Sequence, residues 1–130
     1  MGYDTIRVLA VDHNPLMREG LALLVRLQPD MQLVGTAATA EQALQMYREQ
    51  RPDVTLMDLD LPSGAAIGAI RKICAIDPGA HIIALTSYEQ DSAWARALTA
   101  GAGECVAKER LSDSLPWLIR RIPAPPENGG

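Results

Sequence analysis

The chain has 130 residues, of which 48% are hydrophobic and 22% charged, with a net charge of -4. That length suits one domain with a full core, and the acidic balance argues against nucleic-acid binding by this segment itself, because phosphate neutralisation needs a basic face. No apolar run approaches the roughly 18 residues of a membrane span, and the first residues carry no signal-peptide pattern. Phe is absent, so the core must rest on Leu, Ile, Val, Ala and Met.

In chain order, strand-like and helix-like segments alternate. Ile6 to Val11 is an apolar, β-branched run that reads as a strand. Asn14-Pro15 then supplies an N-cap with proline at the first helical position, and Leu16, Gly20, Leu23, Leu24 and Leu27 mark an expected buried stripe. Pro29-Asp30 ends that helix. Gln32 to Ala37 reads as the second strand, and Thr39-Ala40-Glu41-Gln42 as a capping box opening a helix to about Gln50. A turn at 51–53 leads into Val54 to Met57, a short apolar run that ends on Asp58. Ile67 to Ile76 is an expected helix, His81 to Thr86 a fourth strand, and Asp91 to Ala100 a helix stopped by Gly101. Glu104 to Ala107 is a short fifth strand. Ser112 to Ile122 is the last helix, with Pro116 expected in its first turn, where a missing amide matters little. The segment 123–130, rich in Pro and Gly, reads as a linker or frayed end after a domain at 1–122.

Five strand–helix units with near-continuous apolar strands imply a parallel sheet covered on both faces, a doubly wound α/β fold. Pattern alone leaves the strand order open. Cys74 and Cys105 lack metal-site spacing and read as small buried thiols of a reducing cytoplasm.

Polar residues recur at the carboxyl ends of the expected strands: Asp12 and His13 after the first, Asp58 after the third, Thr86 after the fourth, Lys108 after the fifth. In a parallel sheet those ends share one edge, the edge at which such folds place their chemistry. A buried unpaired carboxylate is costly, so Asp58 requires a cation, a metal or a reacting group. A carboxylate nucleophile, a hydroxyl, an ammonium and a second acid together suit phosphoryl transfer.

These residues, with Ile6-Arg7-Val8-Leu9-Ala10-Val11-Asp12, Pro15-Leu16-Met17-Arg18-Glu19-Gly20-Leu21, Met57-Asp58-Leu59, Leu61-Pro62, Leu85-Thr86-Ser87 and Ala100-Gly101-Ala102, resemble the receiver domain of bacterial two-component response regulators. The similarity is greatest to the subgroup with helix-turn-helix output domains of the LuxR type. The resemblance implies a flavodoxin-like sheet of order 2-1-3-4-5. It implies that Asp58 is the phosphoacceptor, with Thr86 and Lys108 stabilising the phosphoryl group. It also implies a Mg2+ site made by Asp12, Asp58 and the backbone carbonyl of Asp60, and a switch running through Thr86 and the position of Cys105. The expected partner is a sensor histidine kinase, with a homodimer through the face of the fourth helix, fifth strand and fifth helix as a further possibility. DNA would be reached only through an output domain outside this chain. The expected role is signalling rather than enzymatic turnover.

Three departures bear on function. His13 stands where the family has a second acid, and imidazole is a poor magnesium ligand. Weakened Mg2+ binding follows, and either the Asp60 carboxylate or a protonated His13 paired with Asp58 could compensate. Cys105 replaces an aromatic and is too small to act as the same rotor, leaving Tyr88 as the nearest aromatic. Pro62-Ser63-Gly64-Ala65-Ala66 places alanine where positive φ is common in the family, so Gly64 is expected to take over the turn. The alternative reading is a degenerate pseudo-receiver, a phosphorylation-independent interaction or dimerisation module. Trp94 and Trp117 read as partly buried packing residues, and Arg120-Arg121 as caps of the last helix.

Overall fold

The computed structural model describes residues 5–87 and 92–122. Tyr88, Asp91 and the 123–130 tail lie outside the described residues. Five strands, β1 (Ile6–Val11), β2 (Met31–Ala37), β3 (Val54–Asp58), β4 (Ile82–Thr86) and β5 (Glu104–Ala107), form one sheet in the order β2-β1-β3-β4-β5. Every neighbouring pair is parallel. Five helices connect them: α1 (Pro15–Arg26), α2 (Ala40–Gln50), α3 (Ala65–Ile76), α4 (Ser92–Ala100) and α5 (Leu111–Arg120).

Strand alternation divides the interior into two layers. Leu9, Val11 and Met57 face one way and pack with Tyr47, Ile70 and Ile73 of α2 and α3. Val8, Ala10 and Leu56 face the other way and pack with Leu21, Val25, Leu115 and Ile119 of α1 and α5. Both layers are sealed, and each fully buried Leu or Ile contributes about 1.5–3 kcal/mol. β3 is buried along its whole length at the centre of the sheet, so Asp58 is delivered to the carboxyl edge on a rigid element.

Capping follows the sequence closely. The Asn14 side chain accepts from the N–H groups of Leu16 and Met17, and Pro15 occupies the first turn of α1. Thr39 accepts from Gln42 N–H, while Gln42 Oε1 takes the Ala38 amide at 2.8 Å, one residue before the cap. Ser63 and Gly64 adopt positive φ of 62° and 66°, and Ala66 lies in α3, so the turn has moved as expected from the Ala66 position to Gly64 and its neighbour.

Four expectations need correction. The buried stripe of α1 is Leu21, Ala22 and Val25. Leu16, Leu23 and Leu27 are exposed at 78%, 58% and 68%, and Gly20 is exposed too. The helix carries two apolar stripes; Leu21 and Val25 join the core on the sheet, and of the expected stripe Leu24 alone packs partly against it. Pro116 lies in the middle of α5, not in its first turn. The carbonyl it leaves without a donor belongs to exposed Ser112, where water can replace the lost amide. Trp117 is 60% exposed and stacks under the Arg121 guanidinium at 4.6 Å. The cap of α5 is only partly as expected: Arg121 is its C-cap residue and Arg120 lies in its last turn, but the Arg120 side chain turns to Asp30, its Nε and Nη2 donating to the two carboxylate oxygens, each at 2.8 Å, and ties α5 to the turn before β2.

Candidate functional site

β1 and β3 end side by side, and Lys108 after β5 reaches past the end of β4 to complete a shared polar cluster. Asp12 follows β1 and Asp58 ends β3; both are fully buried. Lys108, the first residue of a 3-10 turn after β5, reaches back with only 12% of its side chain exposed. Its Nζ lies 2.8 Å from Asp58 Oδ1 and 3.1 Å from Asp12 Oδ2. The Asp12 Oδ2 contact is an ion pair without good hydrogen-bond geometry.

The other oxygens of the two acids face His13. His13 Nδ1 is 2.7 Å from Asp58 Oδ2 and 3.9 Å from Asp12 Oδ1. The His13 main-chain N–H also donates to Asp58 Oδ2, at 3.3 Å. Asp58 Oδ1 accepts the Asp60 amide at 2.8 Å, and Asp12 Oδ1 accepts the Asn14 amide at 2.9 Å. The carboxylates are thus each split between an ammonium on one side and an imidazole on the other.

Electrostatics separates the two acids. Burial pushes Asp58 up, but the hydrogen bonds from Lys108, His13 and the Asp60 N–H outweigh it and hold the carboxyl below its usual value. Burial also pushes Asp12 up; the Asn14 amide opposes this, the Asp58 charge adds to it, and the net shift is upward. Burial pulls the Lys108 ammonium down, yet the hydrogen bond and charge of Asp58, with Asp12 beside it, keep it above its usual value. Of the two acids Asp58 is thus the one whose ionised form is favoured, with the Lys108 ammonium as its neighbouring counter-charge.

Thr86 ends β4 one residue beyond Leu85, the register partner of Asp58, and is fully buried. Asp60 places its carboxylate 3.5 Å from Lys108 Nζ and accepts the Ser87 hydroxyl at 2.6 Å. In the sequence Ser87 figured only within the Leu85-Thr86-Ser87 run; its tie to Asp60 was invisible because the two lie on different loops. Arg18 was also missed: its Nη1 donates to the Asp12 carbonyl at 2.9 Å and fixes the end of β1. Cys105 lies half-buried on β5, opposite Ala84, with a long contact of 3.8 Å to the Trp94 carbonyl. Burial pushes its thiol up to about 11, so it is a packing residue and not a reactive thiolate. A groove of about 580 Å³ opens beside the cluster, lined by His13, Leu16, Met17, Gly20, Ser87 and Lys108 among others.

Among the described residues, Asp12, His13 and Asp58 are the metal-ligating types that come together, one donor atom of each within 4.8 Å of the others. Receiver domains bind Mg2+ at such an acidic pocket, but this donor set does not fit that ion. Magnesium takes oxygen ligands in strict octahedral geometry, and here an imidazole nitrogen occupies one side of both carboxylates.

A five-stranded parallel sheet of order 2-1-3-4-5, with acids and a lysine converging at its carboxyl edge, defines a doubly wound domain of flavodoxin-like, CheY-like architecture. The chain belongs to the response regulator receiver domain family, which matches residues 8–120. It is 42% identical over 108 residues to the uncharacterized transcriptional regulatory protein YhcZ of Bacillus subtilis, covering 83% of this chain and 50% of that protein. A LuxR-family two-component response regulator from Aurantimonas superposes with a TM-score of 0.78 at 35% identity, covering 90% of this chain and 86% of that one. The response regulator domain of Thermotoga maritima CheB superposes with a TM-score of 0.84 at 29% identity, covering 93% and 99%. The chain spans about half the length of the curated relatives it matches. Among the described residues no helix is long and apolar enough to cross a membrane.

Proposed function

We propose that this receiver accepts a phosphoryl group on Asp58 from the phosphohistidine of a sensor kinase. The observation that carries the reading is the Lys108–Asp58 pair, 2.8 Å long and set at the end of a fully buried strand. It keeps a carboxylate ionised in an apolar setting and leaves a cation beside the oxygens that arrive on phosphorus. Asp58 Oδ2 is screened on the groove side by the His13 ring, whose side chain is 41% exposed. With that ring turned outward, Oδ2 attacks phosphorus; a P–O bond forms as the donor's P–N bond breaks. Lys108 neutralises the phosphoryl oxygens, and the Thr86 hydroxyl moves onto one of them. Asp12 is a positioning residue that holds Lys108 from behind. With Cys105 in place of an aromatic, the response passes through Thr86 and the α4–β5 packing rather than through a rotating ring.

The exposed stripe of Leu16, Gly20, Leu23 and Leu27 starts at the mouth of the groove and supports docking of the kinase along α1. Exposed Leu98 and Trp117 support a homodimer through α4, β5 and α5. The output is control of transcription through a DNA-binding domain outside this chain, which relatives of twice its length support. A second reading, an interaction module that no longer takes phosphate, is favoured by the His13 nitrogen lying on Asp58 Oδ2 at 2.7 Å.

Incubation with a small phosphodonor followed by intact-mass measurement separates the two. The receiver reading expects a single phosphoryl adduct in the wild type and none in Asp58→Asn. An adduct absent from the wild type but present in His13→Asp would establish the second reading.

A further inference from the structure

The pocket has an asymmetry that the phosphoacceptor reading does not use. Lys108 engages Asp58 Oδ1 and Asp12 Oδ2, whereas Asp58 Oδ2 and Asp12 Oδ1 turn toward His13 Nδ1. A cation entering on the imidazole side therefore meets two carboxylate oxygens and a nitrogen without displacing the ammonium. The three donor atoms lie within 4.8 Å of one another. In a metal site with bonds of about 2.0–2.2 Å, neighbouring donors stand about 3–3.5 Å apart. The observed separations of 2.7 and 3.9 Å bracket that spacing, so each needs to change by only several tenths of an ångström. His13 has 41% of its side chain exposed and can make that adjustment, whereas the two acids are fixed by burial. The neighbouring groove leaves space for water at the remaining coordination positions.

We propose that Asp12, His13 and Asp58 form a mixed nitrogen–oxygen site for a divalent transition-metal ion of the Mn2+ to Zn2+ series, in preference to Mg2+. The warrant is donor chemistry. Imidazole suits zinc and its neighbours, and affinities of such sites rise from manganese to copper and then fall at zinc. Magnesium holds its water tightly and asks for oxygen in a regular octahedron. The nitrogen thus subtracts an oxygen ligand from magnesium while adding a ligand for the transition ions. One residue changes both affinities in opposite directions.

The site shares Asp58 with the phosphoacceptor, but metal binding is measured without any phosphodonor, so either proposal can fail alone. The full chain, free of any affinity tag, is titrated calorimetrically with MgCl2, MnCl2 and ZnCl2 separately. The chain has two histidines, so His81→Ala serves as the control for adventitious imidazole binding. Loss of an outer-shell group typically costs about 10–100-fold in metal affinity, and loss of a ligand should cost at least about tenfold. Zn2+ affinity should therefore fall at least about tenfold in His13→Ala and stay unchanged in His81→Ala, while Mg2+ affinity rises at least about tenfold in His13→Asp. The proposal is overturned if Zn2+ binds His13→Ala as tightly as wild type, if His81→Ala removes the binding, or if Mg2+ binds wild type as tightly as His13→Asp.

Discussion

Replacing Lys108 by Met removes the charge of the pocket while keeping a stem of similar length. Two ammonium–carboxylate contacts of 2.8 and 3.1 Å disappear. At an effective dielectric of about 20 each contact is worth about 5 kcal/mol gross. Much of that is returned, because the methionine no longer buries an ammonium. What remains is two acids at 0% exposure facing each other without a counter-charge, and breaking a buried pair on one side costs about 3–5 kcal/mol. A loss of about 3 kcal/mol at pH 7 is expected, which lowers the urea midpoint by about 1–3 M. The pH dependence has a definite sign. In the wild type, Asp58 is held below its usual value, so its contribution is present above the unfolded pKa and is lost as pH falls through the folded value. In Lys108→Met the remaining carboxylates are raised, so stability is lost as pH rises and recovers on acidification. The Asp58→Asn/Lys108→Met double variant should lose less than the single variant, because one of the stranded charges is gone. Urea unfolding at pH 7 and pH 5 reads all of this. A loss below about 0.5 kcal/mol, or a loss unchanged by Asp58→Asn, would refute the claim that this pair is energetically buried.

Three further outcomes probe the fold around the site. Thr55 is the second residue of β3, with its hydroxyl buried and lacking a hydrogen-bond partner among the described residues; Thr55→Val should stabilise by about 1 kcal/mol in chemical denaturation, and destabilisation would mean the hydroxyl is satisfied. The Tyr47 phenol donates to Asp77 at 3.1 Å, and burial, then the Asp77 hydrogen bond, push it up to about 12. Its raised pKa gives stability that is intact below about pH 10 and lost between pH 10 and 12, by about 2–3 kcal/mol, and Tyr47→Phe should flatten that fall. Gly101 has φ of 129°, and a Cβ there would lie 2.5 Å from Cys74 Sγ. Gly101→Ala should cost more than about 1 kcal/mol, and adding Cys74→Ala should recover the steric part but not the backbone strain; equal loss in both would place the whole effect on the backbone.

Much of this was legible in the chain because the signals were local. The apolar runs ending at Val11, Asp58, Thr86 and Ala107 defined the strands, and a parallel sheet brings their ends to one edge whatever the strand order. Asp12, Asp58 and Lys108 meet for that reason alone. The pairing of His13 with Asp58 was anticipated as one of two compensations; the Asp60 carboxylate, the other, was expected beside the metal and instead contacts Lys108 at 3.5 Å and Ser87 at 2.6 Å. What failed depended on which of two equivalent surfaces packs. Leu16, Leu23 and Leu27 repeat with helical period as faithfully as Leu21 and Val25 do, so periodicity could not choose the buried face of α1. The reach of Arg120 to Asp30 joins residues 90 apart, and no spacing rule predicts it.

The central claim is that Asp58 is the phosphoacceptor, and the nature of the bond tests it most directly. An aspartyl phosphate is an acyl phosphate, which borohydride reduces to homoserine. After incubation with a small phosphodonor and reduction, peptide mapping should find homoserine at position 58 and at no other acid, with Asp12 and Asp60 unchanged. Homoserine at position 12 or 60, or aspartate still intact at 58 in protein that carries a phosphoryl adduct, would contradict the account.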